Sequence, residues 1–122
     1  MTPPSPRYAA LMARPLVVLD GAMGTQLERL IATPRLPWSL DGLVLHPELT
    51  LAVHQAYFEA GAHVLTCNAF RANARTLARV DWDAVALPPD ADPALREIWR
   101  GRDGGALEGA LAALAVRLAR RA

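Results

Sequence analysis

Asp20 stands where an apolar run ends and a glycine turn begins, in the stretch LVVLDGAMGTQLERL over residues 16–30. A carboxylate at the carboxyl end of a buried strand lies where parallel α/β proteins bind ligands. There it could hold a substrate ammonium group, and Gly21 beside it would let a ligand approach the backbone. Two phosphate-binding readings of the same stretch fail on their residues. A dinucleotide turn needs G-x-G-x-x-G, whereas DGAMGT places its glycines three apart. A P-loop needs G-K-[ST], and the chain has no Lys. A plain tight turn, with Gly21 and Gly24 supplying only backbone freedom, is the remaining alternative.

The other reactive side chains are few. Cys67 is the single cysteine, so an internal disulfide is excluded, and one thiolate does not make a zinc site. It reads as a small core residue. Of the three histidines, His46 suits a helix start, His54 a packing or hydrogen-bonding role, and His63 the beginning of an extended run. No third ligand accompanies His54 and His63, so no metal pair is read there. Glu28 fits helix capping and Glu59 the surface.

The bulk properties narrow the class. The chain has 122 residues, 52% of them apolar, and a net charge of +1. It is long enough for one small domain with a core, and it offers no electrostatic case for nucleic acid or an acidic membrane surface. All the cations are arginines, scattered except for Arg120 and Arg121. One cysteine fits a reducing, cytoplasmic setting. The proline-rich opening lacks the apolar region of a signal peptide, and no run is long enough to span a membrane.

The elements that must position Asp20 follow from pattern. Residues 1–15 read as a loose N-terminal arm. Leu16–Leu19 is continuously apolar, as in a strand buried on both faces. Thr25 and Glu28 have capping-box spacing, which predicts a helix starting at Thr25. Pro34, Pro37 and Asp41-Gly42 mark a loop. His46-Pro47-Glu48 opens a second helix whose apolar face is Leu49, Val53, Ala56 and Ala60, and Gly61 stops it. Ala62–Cys67 is then a second strand, giving a βαβ unit. A third helix covers about Ala72–Val80. Residues 81–105 are turn-rich and insertion-like, with a short helix from Pro93, and Trp82 and Trp99 cover the core edge. Tyr57 and Phe58 pack on the flanks of the crossover helix. The closing ALEGALAALAVRLARR is a helix with a stripe of Leu107, Leu111, Leu114 and Leu118.

Three stretches carry a family resemblance. VVLDGAMGTQLERL, the PWS at 37–39 and HPELTLAVHQAYFEAGAHVLTCNAF resemble, in order and spacing, the N-terminal part of zinc-dependent homocysteine S-methyltransferases. The resemblance runs from Leu16 to Ala78 and resumes at the closing ALAVRLARRA. It implies an α/β fold, the N-terminal βαβα segment of a (βα)8 TIM barrel. The barrel is incomplete here, because such barrels need about 250 residues. Residues 16–122 would be a partial homocysteine-binding domain, with open sheet edges able to self-associate.

The resemblance also implies the chemistry. A zinc-bound homocysteine thiolate takes a methyl group from a donor that the sequence leaves open, giving methionine. Asp20 matches the aspartate that holds the amino-acid end of homocysteine, with the Gly21 backbone beside it. Trp38 matches an aromatic near a cationic donor, suited to cation–π attraction. Thr66, Asn68 and Phe70 match a T-x-N-T-F segment in which Ala69 replaces the second Thr, and Arg71 follows where other side chains are usual. The family's zinc cysteines belong to later barrel segments that have no counterpart among these residues. The expectation is therefore no metal site and no activity for this chain alone. The alternative is a non-catalytic α/β remnant that binds a small amino acid or completes its sheet with a partner chain.

Overall fold

The computed structural model describes residues 1–122 and contains seven helices. They are α1 (Pro6–Met12), α2 (Gly24–Leu30), α3 (Asp41–Val44), α4 (Pro47–Glu59), α5 (Ala74–Leu77), α6 (Pro93–Gly101) and α7 (Gly104–Arg121).

The βαβα expectation is overturned. About half the chain is helical, 2% is strand-like, and there is no sheet. The two runs expected as strands meet at one isolated parallel bridge, Leu19 with Val64. The Asp20 N–H donates to the Val64 carbonyl at 3.0 Å, and the His63 N–H donates to the Val18 carbonyl at 2.7 Å. The pairing ends there for two reasons. The Val18 N–H donates to the His63 Nδ1 at 2.9 Å, so a side chain takes a donor that a ladder would use. Parallel strands also need cover on both faces, yet Leu16 and Leu19 are 70% and 64% exposed. The sheet edge invoked for self-association is accordingly not formed.

The long C-terminal helix organises the core instead. Helix α7 packs against α3, α4, α5 and α6. Its buried stripe is Leu107, Leu111, Ala115 and Leu118, with Leu114 only partly covered. The Asp103 carboxylate caps it by accepting from the Ala106 N–H at 3.0 Å. The 81–105 segment contributes Val85, Leu95 and Trp99 to this core. Trp99 is buried there and meets Trp82 edge-on, with ring centroids 4.8 Å apart.

Local signals outlasted the missing sheet. Helix α4 begins at Pro47 after His46, carries Glu48 in its first turn, and is followed by Gly61 at φ 102°. Its buried face differs from the apolar stripe: Thr50, Val53 and His54 are buried, whereas Ala56 and Ala60 are exposed. The helix is wedged against α2, α3 and α7, and the contact face is set by those neighbours. Helix α2 starts at Gly24 with Met23 as its cap and no side-chain capping bond, so the Thr25–Glu28 box does not form. Helix α5 is shorter than expected, started by the Asn73 side chain accepting from the Thr76 N–H at 3.1 Å. Within the arm, Ser5 caps α1, none of whose residues is buried.

Candidate functional site

The bridge brings the ends of both extended runs to one place. Asp20 and Thr66 are joined twice there: the Thr66 N–H donates to Oδ2 at 2.7 Å and its hydroxyl donates to Oδ1 at 2.9 Å. Each carboxylate oxygen accepts once and retains acceptor capacity. An Asp20 fixed in this way can take a further donor, such as an ammonium group, without losing its own orientation.

A cavity of about 310 Å³ opens beside this pair. Asp20, Gly21, Trp38, Thr66, Asn68 and Phe70 all line it. The sequence places these residues on three separate stretches, and the fold gathers them. Met23, Thr25 and the half-buried Cys67 also line the cavity, as does Gly24. Cys67 thus stands at the cavity wall while also packing against the main core, in keeping with the core role expected for it.

Two glycines of DGAMG make room for aromatic rings. A Cβ on Gly21 would lie 2.8 Å from the Tyr57 hydroxyl, which donates to the Ala22 carbonyl at 2.8 Å. A Cβ on Gly24 would lie 2.7 Å from the Trp38 indole. The turn is therefore shaped by what packs against it. Tyr57 is half-buried in this role, while Phe58 is exposed.

Trp38 forms the aromatic wall with Phe70, edge to face at 6.2 Å between centroids. The Arg71 guanidinium lies over both rings, 5.7 Å from Trp38 and 5.2 Å from Phe70. The loop carrying Trp38 is folded by Asp41, a buried carboxylate that accepts from the Arg35 and Leu36 N–H groups at 2.8 Å each.

Two polar side chains, Asn68 at the cavity lining and His54 on α4, are buried. Asn68 donates from Nδ2 to the Ser39 carbonyl at 3.1 Å, and its Oδ1 has no partner. His54 is fully buried on α4, and neither ring nitrogen has a partner. Burial pushes its pKa below the ordinary value, and the Asp20 carboxylate opposes that shift more weakly. Of the packing or hydrogen-bonding role expected for His54, the packing is present and the hydrogen bond is not, and its electrostatic link to Asp20 had no signal in the sequence.

The donor set does not suit a metal. No group of three His, Cys, Asp or Glu side chains converges anywhere in the structure. No helix is long and apolar enough to cross a membrane.

A family model described as homocysteine S-methyltransferase matches residues 17–122. The chain is 43% identical over 56 residues to homocysteine S-methyltransferase 1 of Zea mays, covering 45% of this chain and 17% of that protein. It is 51% identical over 49 residues to homocysteine S-methyltransferase YbgG of Bacillus subtilis (strain 168), covering 39% and 16% respectively. Homocysteine S-methyltransferase 1 of Arabidopsis thaliana is 41% identical over 56 residues, covering 45% and 17%. The matches thus span about a sixth of the length of these relatives. No solved structure matches the chain significantly.

Proposed function

We propose a function from one premise: the chain belongs to the homocysteine S-methyltransferase family. Its part in that function is to hold the amino-acid end of homocysteine in the cavity beside Asp20. The observation that carries this reading is the doubly tied Asp20–Thr66 pair at a cavity mouth. A carboxylate already oriented by two donors loses little freedom when a ligand ammonium arrives, which favours binding. The exposed backbone of Gly21 and the Trp38–Phe70 wall would flank the ligand's body.

The zinc that the resemblance implies does not fit these residues. Cys67 is the only thiol, and it has no converging ligands. These side chains therefore support no methyl-transfer step of their own. The reading for this chain is substrate binding without turnover, a role that the donor set favours over catalysis by the 122 residues alone. The methyl donor is left unassigned, and Arg71 already covers the aromatic faces that a cationic donor would use.

Titration calorimetry with L-homocysteine tests the reading on the wild-type chain and Asp20→Asn, which keeps shape and removes charge. Binding by the wild type and a clear loss in the variant are expected. Equal heats in both would remove Asp20 from the site.

A further inference from the structure

The cavity at Asp20 has a neighbour. A second cavity of about 230 Å³, lined by Leu27, Ile31 and Leu36 among others, lies behind Trp38. Gly24 and Trp38 line both cavities, so the two cavities adjoin at Trp38. Asn68 lines only the first and Ser39 only the second. The hydrogen bond from the Asn68 Nδ2 to the Ser39 carbonyl therefore ties a residue of the first cavity to the neighbour of Trp38 in the second.

The geometry points to Asn68 as a positioning residue: its amide latches the Ser39 carbonyl and so holds Trp38 where the two cavities adjoin. Three features support it. Asn68 is 3% exposed, and the bond to Ser39 is the one hydrogen bond its side chain makes, so a buried amide is committed to a loop backbone. Ser39 is itself buried at φ 67°, a left-handed conformation that a non-glycine residue keeps only when its surroundings hold it. Trp38 and Phe70 flank the latched pair in sequence and touch edge to face, so the latch fixes both halves of the aromatic wall. The role of Asn68 is thereby moved from ligand contact to the placement of Trp38. The latch itself stands on this geometry; its effect on ligand size rests on homocysteine occupying the cavity at Asp20.

The test uses the whole chain labelled with 5-fluorotryptophan, with the Trp38 signal identified through Trp38→Phe. In Asn68→Ala and Asn68→Asp, the Trp38 fluorine resonance should shift or broaden while those of Trp82 and Trp99 stay in place. An unmoved Trp38 resonance in a folded variant overturns the proposal. Should neither variant fold, the wild type decides: the Asn68 side-chain amide protons should exchange more slowly than those of Asn73, and equal rates overturn the latch. Calorimetry forms the second arm. Asn68→Ala should bind L-homocysteine about tenfold more weakly and gain affinity for S-benzylhomocysteine, whose benzyl group could enter the second cavity once Trp38 is released. A moved Trp38 resonance with no homocysteine binding by the wild type sinks the substrate-binding reading and leaves the latch. Normal homocysteine binding with an unmoved resonance does the reverse.

Discussion

The Thr66 hydroxyl donates to Asp20 Oδ1 at 2.9 Å while the Thr66 backbone N–H donates to Oδ2 at 2.7 Å, so one residue orients both oxygens of the carboxylate. The backbone bond depends only on the chain path, whereas the hydroxyl bond depends on the side chain. Thr66→Val should therefore leave Asp20 half-oriented. Homocysteine affinity should fall several-fold, matching about 1 kcal/mol for a net hydrogen bond, and Thr66→Ser should restore it. Calorimetry on the three proteins checks this; unchanged affinity in the valine variant would show the hydroxyl to be idle.

His54 should give the fold a pH dependence. Its native pKa lies below the ordinary 6.5 because its burial disfavours the charged ring. The unfolded chain takes up this proton near the ordinary value, and the native chain takes it up only at lower pH. Between those two values the unfolded state binds more protons, so stability rises with pH. The contribution is complete above 6.5 and declines as the pH falls through 6.5 toward the native value. Denaturant midpoints measured from about pH 5 to 8, the range in which histidine titrates, should show this slope in the wild type and a flatter one in His54→Leu. Parallel profiles would contradict it.

Gly24→Ala separates helix propensity from site geometry. Within a helix the change is worth up to about 1 kcal/mol in favour of Ala. The new Cβ, however, would stand 2.7 Å from the indole of Trp38, a residue 43% exposed, so the ring must shift against its latch to admit it. Thermal stability should change little, while Trp38 emission shifts to the red and homocysteine affinity drops. A variant that binds normally would mean that Trp38 does not need its slot against the backbone.

The centre of the core should be sensitive to cavities. Leu111 on α7 is fully buried, and Leu111→Ala should cost about 2–5 kcal/mol. The same change at Leu30, which is 53% exposed, should cost well under that. Chemical unfolding of both variants tests whether α7 is the organising helix; similar losses would argue against it.

Much of the local structure was legible because it depends on neighbours in sequence. Pro47 after His46, the Gly61 stop and the helical run to Arg121 each act within a few residues, and each appears where its pattern placed it. The capping box at Thr25 did not form, since helix α2 opens one residue earlier at Gly24. The strand pattern of residues 16–19 and 62–67 was equally clear, yet a strand is completed only by pairing and by cover on its faces. With one partner, and with His63 taking the Val18 donor, the pair stops at a single bridge.

The sequence by itself determined the identities at the site, and it named Asp20, Gly21, Trp38, Thr66, Asn68 and Phe70 from three separate stretches. It also determined the family, because that rests on residue types in order. Only the tertiary structure decided that these six line one cavity, that Thr66 orients Asp20, and that Asn68 is spent on the Ser39 carbonyl. Those are contacts between residues 29 or 46 positions apart. Their geometry is fixed by how α2, α3, α4 and α7 pack, which no local pattern encodes.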